Sequence, residues 1–497
     1  MAAAVGVLAA TTAIGVAELV AAFGRSLRNP LFDVGDRVID AAPSWLKDFA
    51  ISVFGTNDKI ALLAGISILL AVFAATIGVL ALRRRFAYGI GGIAVFGLIG
   101  AASAVAGPEG PIAVLPSVLG SLAGLGVLAW FDGGLTSLGF EEDAGRRVFL
   151  TQIGLGFAGA MTAGIGGRFL SGRLFPVNTD GTSLPAVANP LPELPESVDF
   201  GIDGLAPFQT PNADFYRIDT ALSVPRIDPS TYQLRIHGMV ENELTLSYED
   251  LVRRPQIESD ITLTCVSNEV GGRLVGNARW QGIPLDALLA EAGVDPSADQ
   301  VVGRSVDDYT CGFPVEAATD GRDALVAIGM NGEPLPLEHG FPVRLVVPGL
   351  YGYVSATKWL TEIELTTFDA FDQYWVPRGW AERAPIKISS RIDTPGAFAN
   401  VSGDVVIAGV AWAQTRGIES VEVRIDDGSW QEAELAAPLN DTTWRQWKLP
   451  WTATPGRHTI TCRATDATGE TQTEQRSRPM PDGSTGWHSV VVMGEAA

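Results

Sequence analysis

Cysteine is nearly absent from this chain: 497 residues hold three, Cys265, Cys311 and Cys462, and none stands in a Cys-x-x-Cys pair. That spacing excludes a disulfide framework and a zinc ribbon, and without Cys-x-x-Cys-His there is no attachment site for a c-type haem. Histidine is almost as scarce. The four residues, His237, His339, His458 and His488, leave the first 236 positions empty, so that part cannot hold a bis-histidine haem. Basic residues are outnumbered, 35 Lys and Arg against 56 Asp and Glu, for a net charge of −21. Few of them cluster, which argues against a nucleic acid partner, because phosphate backbones need a basic surface.

Charge is also missing from the first third, where Ala, Gly, Leu, Val and Ile dominate residues 1–175. Apolar runs fall at about 3–23, 60–82, 86–106, 111–131 and 148–167. Each is near the ~20 residues a helix needs to cross the hydrocarbon core. Their almost charge-free interiors separate them from buried globular helices. Residues 1–170 therefore read as a membrane domain with about five transmembrane helices. Arg83, Arg84 and Arg85 fill the connection between the second and third runs, and Arg146 and Arg147 precede the fifth. The positive-inside rule puts both groups in the cytoplasm. The connection at 107–111, Gly-Pro-Glu-Gly-Pro, carries no cation and suits the outside. The N-terminus is then inside and everything after about 170 extracytoplasmic, in a multi-pass protein of the cell membrane. The 25–59 segment also falls outside and reads as an interfacial helix, with Arg25 and Arg28 counting against the orientation. Gly145-Arg-Arg-Val-Phe-Leu150 is similar to a twin-arginine export motif and reads equally as ordinary basic flanking; both give the same topology.

Residues 171–204 form a Pro-rich linker, with Phe175-Pro176, Asn189-Pro190 and Leu194-Pro195. From 205 to 385 the pattern is mixed α+β. Tyr232 to His237 alternates like a strand, and Pro342 to Pro348 is a strand bounded by prolines. Ser247 to Arg254 reads as a helix capped by Ser247 with Asp250 three residues on, and Leu285 to Ala292 as a second. In the domain at 386–497, nearly everything from 386 to 493 alternates with period two: Val405 to Val410, Val421 to Ile425 and His458 to Ala464, with turns at Asp427-Gly428 and Pro455-Gly456. That predicts an antiparallel sandwich of immunoglobulin type. The fold class is thus multi-domain: helical membrane part, α+β domain, C-terminal β-sandwich.

Thr262-Leu-Thr-Cys265-Val-Ser-Asn268 places a cysteine at the end of a β-type run, just before a Gly271-Gly272 turn. A thiolate there can face a cleft and hold a soft metal. Alone, such a cysteine is more often core filler. Cys311 and Cys462 read as structural.

The surrounding pattern adds weight. Asn212-Ala-Asp-Phe-Tyr-Arg217, the strand ending in His237-Gly238, the Cys265 turn, Asn277-Ala-Arg-Trp280, His339-Gly-Phe-Pro-Val-Arg344, Val347-Pro-Gly-Leu-Tyr-Gly352 and Lys358-Trp-Leu360 occur in this order. Together they resemble the molybdopterin domain of the sulfite oxidase family. The sandwich resembles that family's dimerisation domain through Ile407-Ala-Gly-Val-Ala-Trp412, Trp444-Arg-Gln-Trp447 and Ala464-Thr-Asp-Ala-Thr-Gly469. The resemblance covers about 205–493, and the apolar N-terminal part looks like a membrane-anchored bacterial branch.

The resemblance implies a molybdopterin cofactor, with Cys265 as the thiolate ligand of molybdenum. It implies that Asn268, His339, Arg344 and Lys358 contact the cofactor and its phosphate, and that Arg217 lies near an oxyanion pocket. The activity implied is oxygen-atom transfer, with sulfite or a related small sulfur compound as the substrate to be oxidised. Electrons would pass to a separate acceptor such as a cytochrome or quinone, and a homodimer is implied by the sandwich. One departure stands out. Animal and plant sulfite oxidases follow the cysteine with a basic pair, whereas Val266-Ser-Asn-Glu-Val270 follows here, leaving Arg273 or Arg279 to substitute. Two other readings stay open: a molybdopterin-dependent sulfoxide reductase, and a non-enzymatic surface binding protein built on the sandwich.

Overall fold

A computed structural model describes residues 1–24, 27–42, 46, 58–105, 110–137, 143–174 and 183–495. Arg25, the Gly-Pro-Glu part of the 107–111 connection, most of the second half of the 25–59 segment and Phe175-Pro176 lie outside the described residues, as does the side chain of Arg146. The chain divides into two compact units, Met1–Val177 with Ala221–Ser223, and Asn178–Thr220 with Val224–Ala497.

The first unit is helical: α1 (Ala2–Ala21), α2 (Pro30–Ala41), α3 (Asp58–Arg83), α4 (Phe86–Val105), α5 (Leu115–Ser137) and α6 (Asp143–Leu174). Five stretches, Ala2–Ala21, Lys59–Arg83, Phe86–Val105, Pro111–Asp132 and Arg147–Leu174, are long and apolar enough to cross a membrane. Helix α1 is the centre and packs against α3, α5 and α6. Small residues permit the close approach: a Cβ on Gly6 would lie 2.0 Å from the Ala74 carbonyl oxygen, and one on Gly15 2.4 Å from that of Ala160. Apolar side chains point outward, including Leu69, Leu98, Trp130 and Leu155. An exterior of that kind suits a lipid surface, where burial in protein is not needed to remove apolar area from water. Helix α2 begins at Asn29, whose side chain accepts from the Leu31 amide and donates to Glu18 of α1 at 2.6 Å.

The second unit carries strands β1 (Gln233–Gly238), β2 (Leu244–Ser247), β3 (Ile257–Thr264), β4 (Val275–Pro284), β5 (Gln300–Ser305), β6 (Thr310–Pro314) and β7 (Leu325–Met330). After these come β8 (Glu333–Pro334), β9 (Arg344–Val346) and β10 (Leu360–Thr366). One sheet runs β2-β1-β10-β5-β6, with β1 and β10 parallel. A second, antiparallel throughout, runs β3-β4-β7-β8, and β9 also pairs with β7. Helix α7 (Tyr248–Arg253) starts with the expected reciprocal cap, Ser247 accepting from the Asp250 amide while Asp250 accepts from that of Ser247. Helix α8 (Leu285–Ala292) buries Leu285, Leu288, Leu289 and Ala292, one face at helical spacing, and stops at Gly293 with φ +69°.

Residues from 389 on form two facing sheets. Their strands are β11 (Ser389–Thr394), β12 (Asn400–Val401), β13 (Gly403–Trp412), β14 (Ile418–Ile425), β15 (Gln431–Glu432), β16 (Glu434–Leu435), β17 (Arg445–Ala453), β18 (Gly456–Asp466) and β19 (His488–Gly494). The orders are β11-β13-β17-β16 and β12-β19-β18-β14-β15. Ile407, Val421, Val423, Trp447, Ile460, Cys462 and Val492 fill the space between them, drawn from alternate positions. Ala408, Val410, Trp412 and Trp444 belong instead to the core of the preceding domain, so the two parts share buried surface. The Pro-rich segment after Ser183 also packs there: Leu184, Leu194 and Val198 join that core, and Glu258 accepts from the Leu191 amide.

Candidate functional site

Strand β3 delivers Cys265. The strand is buried at every position from Ser259 on; β4 pairs with one edge, and Thr442 and Trp444 hydrogen-bond along the other. The chain then folds into a tight turn. The Cys265 amide donates to the Leu274 carbonyl (2.9 Å), the Asn268 amide to the Cys265 carbonyl (3.0 Å), and the Gly272 amide to that of Glu269 (2.8 Å). Asn268 is buried, and its side-chain oxygen accepts from the Leu274 amide at 2.9 Å, so it shapes the turn from within. Burial pushes the Cys265 thiol up, while the Ser267 amide and hydroxyl oppose that shift by offering hydrogen bonds to the sulfur.

Cys265 opens into a cleft of about 110 Å3 that is continuous with solvent. Its walls include Tyr216, Asp219, Ser305, Asp307, Tyr309, His339, Arg344, Lys358, Trp359 and Trp375. Cys265, His339, Arg344 and Lys358, expected from the sequence to act together, therefore meet in one space. Asn268 and Arg217 do not line it.

Arg344 on β9 is 5% exposed and stacks over the Trp280 ring at 4.8 Å. Its guanidinium donates to the carbonyls of His339 (3.0 Å) and Leu345 (3.3 Å), and no carboxylate among the described residues stands within ion-pair distance. Burial pulls it down to about 10. A buried cation without a counterion is costly, and an anionic ligand offsets that cost. Lys358 has its counterion: its Nζ lies 2.8 Å from Asp219 and donates to the Glu338 carbonyl at 3.1 Å. Burial lowers it to about 8 against the pull of Asp219. Asp219 also takes Arg217, at 2.8 Å, and Arg217 is partly exposed. His339 is lowered to about 4, chiefly by burial, and is neutral near pH 7. Its Nε2 then donates to the Asn212 carbonyl at 2.9 Å, which leaves Nδ1 as an acceptor.

Three polar groups of the wall lack protein partners. Ser305 Oγ and one Asp307 carboxylate oxygen are buried and unsatisfied, and the Tyr216 hydroxyl has no hydrogen-bond partner among the described residues. Native interiors rarely leave buried groups such as Ser305 Oγ and the Asp307 oxygen unmet, so water or a ligand in the cleft completes them. A buried cysteine thiol, a guanidinium without a carboxylate partner among the described residues, and unpaired hydroxyl and carboxylate oxygens form a donor set that fits a pterin with a phosphate and a metal-bound dithiolene. Among the described residues no cluster of three or more His, Cys, Asp or Glu is placed to hold a metal, so Cys265 stands as a single protein thiolate.

Tyr216, Asp219, Ser305, Asp307, Tyr309, Trp375 and the Ser267 donors were not singled out in the sequence. Tyr216 and Asp219 sit inside or beside the Asn212–Arg217 motif and could have been. Asp307-Asp308 reads as a polar turn between strands, and nothing local says that it faces a cleft. Arg279 forms a two-pronged pair with Asp260 (2.9 and 3.1 Å) away from the cleft, and Arg273 is exposed outside it.

Fold and donor set together define a molybdopterin-binding oxidoreductase. Comparison with known proteins agrees: residues 221–375 match the family described as oxidoreductase molybdopterin binding domain. The chain is 33% identical to the mitochondrial sulfite oxidase of Rattus norvegicus over 288 residues, 48% of this chain and 52% of that one. It is 33% identical to the uncharacterized oxidoreductase YuiH of Bacillus subtilis over 156 residues, 31% of this chain and 75% of that one. The sulfane dehydrogenase SoxCD of Paracoccus pantotrophus shares its fold, at a TM-score of 0.51 and 23% identity over 65% of this chain and 93% of that one. The chain belongs to the sulfite oxidase family of molybdopterin-dependent oxidoreductases. It spans about half the length of the mitochondrial relatives it matches. Membership makes it an enzyme, which sets aside the non-enzymatic surface protein.

Proposed function

We propose that the chain is a membrane-bound molybdenum enzyme catalysing oxygen-atom transfer, oxidising sulfite or a related small sulfur compound outside the cytoplasm. The observation that carries this reading is the pairing, in one cleft, of the Cys265 thiol with the uncompensated Arg344 guanidinium. Cys265 binds the metal, with the Ser267 amide and hydroxyl stabilising its thiolate. Arg344 and Lys358 hold the anionic parts of the cofactor, and Asn268 keeps the turn in shape around it. His339, Ser305 and Asp307 meet the polar edge of the pterin. Molybdopterin supplies two-electron redox chemistry coupled to movement of an oxygen atom. The aromatic walls, Tyr309, Trp359 and Trp375, keep bulk water from the reacting groups and strengthen every charge interaction inside. Arg217, exposed and paired with the Asp219 that lines the cleft, adds positive charge that attracts an anion.

Residues 1–170 anchor the chain by about five spans, 171–204 link them to the molybdopterin domain at 205–385, and 386–497 form an immunoglobulin-like domain that pairs two copies. Electrons pass to a separate cytochrome or quinone. The decisive experiment is molybdenum and pterin quantification on purified protein, followed by sulfite-dependent reduction of an acceptor. One mole of each per chain with sulfite-dependent turnover is expected; absence of molybdenum ends the proposal.

A second reading, sulfoxide reduction, draws on one feature. Arg217 is held by Asp219 outside the cleft and no basic pair follows Cys265, so the cleft has few cations for a small dianion. Sulfoxide-dependent oxidation of a reduced dye, without sulfite turnover, would favour it.

A further inference from the structure

The sandwich does more than abut the cysteine-bearing domain. Strand β3 is the edge of its sheet, and its outer edge is closed by the sandwich: the Thr262 amide donates to the Thr442 carbonyl (3.0 Å) and the Trp444 amide to the Thr262 hydroxyl (2.8 Å). Thr442 and Asn440 both donate to the Asp260 carbonyl, at 2.9 and 3.0 Å, and Gln414 donates to that of Thr262 at 3.0 Å. The turn after Cys265 is gripped in the same way. Ser484 Oγ donates to the Asn268 carbonyl at 2.6 Å, and Arg391 donates to the Gly272 carbonyl at 2.9 Å. His488 lies against Gly271, where a Cβ would come within 2.2 Å of the ring, and φ there is +82°. The ring is itself held, because its Nδ1 accepts from the Ile392 amide at 3.0 Å.

We propose that Ser484, Arg391 and His488 are positioning residues for the active site, fixing the 265–272 turn and so the direction in which Cys265 presents its sulfur. This rests on reading Cys265 as the metal thiolate. The turn's own hydrogen bonds close its interior but leave the Asn268 and Gly272 carbonyls facing out, and the sandwich takes both. A catalytic group must be held to within ~0.5 Å of its productive place by packing and hydrogen bonds from behind. Val266 anchors the start of the turn in the core, but the Gly271-Gly272 end does not reach that stiffness alone, because glycine has the widest backbone freedom. The supports come from two separate stretches, Arg391 on β11 and the 484–488 segment leading into β19, so the orientation of the sulfur depends on the sandwich being folded and docked.

The test uses the full-length, cofactor-loaded enzyme and four variants: Ser484→Ala, His488→Ala, His488→Asn, and His458→Ala at a distant point of the sandwich. His458 pairs with Asp426 at 2.8 Å and lies on none of the supports, so its loss weakens the sandwich without touching the turn. The readouts are the thiolate-to-metal charge-transfer absorption, kcat and KM separately, and molybdenum and pterin per chain. Ser484→Ala and His488→Ala keep the cofactor, displace the absorption band, and lower kcat ~10- to 100-fold with KM unchanged. In His488→Asn the side-chain oxygen can take the Ile392 amide, and part of the loss is recovered. His458→Ala melts earlier with an unmoved band. Ser484→Ala removes one hydroxyl only, so the test stands even if His488→Ala fails to fold. Wild-type bands and kcat in both Ser484→Ala and His488→Ala would overturn the positioning role, as would an equal band shift in His458→Ala. A wild-type chain without molybdenum would instead end the functional reading beneath it.

Discussion

Replacing Arg344 by Met separates binding from stability at a single residue. The guanidinium is buried against the Trp280 ring and two carbonyls, with no carboxylate partner among the described residues, so an apolar side chain of similar length removes a desolvation cost from the cofactor-free protein. The melting temperature of the empty variant should match or exceed that of the empty wild type, while pterin content falls at least tenfold. On the proposed assignment of the phosphate and ring contacts to Arg344, Lys358 and His339, Cys265→Ser should keep pterin near normal but lose turnover by several orders of magnitude. Cys311 accepts from the Thr357 hydroxyl at 2.6 Å and Cys462 from that of Ser390 at 3.3 Å, both buried in cores. Serine at either should cost only about 1 kcal/mol in a denaturant titration and leave turnover intact. His488 gives a pH signature. Burial lowers it to about 4, with Arg391 and Arg476 adding to the shift and Asp393 opposing it. Its ordinary value is 6.5, so between 6.5 and 4 the unfolded chain binds the extra proton. Its contribution is complete above 6.5 and is lost as pH falls towards 4, at ~1.4 kcal/mol per pH unit. Comparing melts of wild type and His488→Asn at pH 7 and pH 5 should show a smaller drop in the variant.

Among the elements, the turn after β3 is the least tolerant. Gly271→Ala meets both a positive φ and the His488 ring, and should cost about 2–3 kcal/mol in the same titration and lower molybdenum content. How much of such elements can be read in advance depends on where their determinants lie. The cap of α7 and the span of α8 were legible, because Ser247, Asp250 and the Leu285–Leu289 spacing act within a few residues of one another. Pro342 to Pro348 shrinks to the three residues of β9, since β7 offers it pairing only at Arg344, Leu345 and Val346. The Pro-rich segment after Ser183 looked like a spacer, yet Leu184, Leu194 and Val198 lie on the core; scattered apolar residues among prolines carry no period to reveal that.

For the whole molecule, the proposed membrane orientation is tested by fusing a reporter that works only outside the cytoplasm. Fusion after Leu191 should give signal and fusion after Arg85 none. Removing 386–497 is a second test at this scale. It strips Trp412 and Trp444 from the neighbouring core and uncovers the edge of β3. The truncated chain should aggregate rather than remain a clean monomer in sedimentation, because an exposed apolar strand edge templates association.

Hydropathy runs, period-two alternation and an ordered set of short motifs determined, without coordinates, the apolar helices, the β-rich remainder and the Cys265 turn. Those properties are local: each depends on residues within one element, and a one-dimensional pattern records them. The tertiary structure alone decided that Lys358 and Arg217 share Asp219, that Arg344 has no carboxylate partner among the described residues, and that Ser484, Arg391 and His488 lie against the cysteine turn. Lys358 and Asp219 are 139 positions apart, Arg391 and Gly272 119, and Ser484 and Asn268 216. Charge compensation and support at such separations depend on which elements pack together, and side-chain type at one position does not encode the partner that folding brings to it.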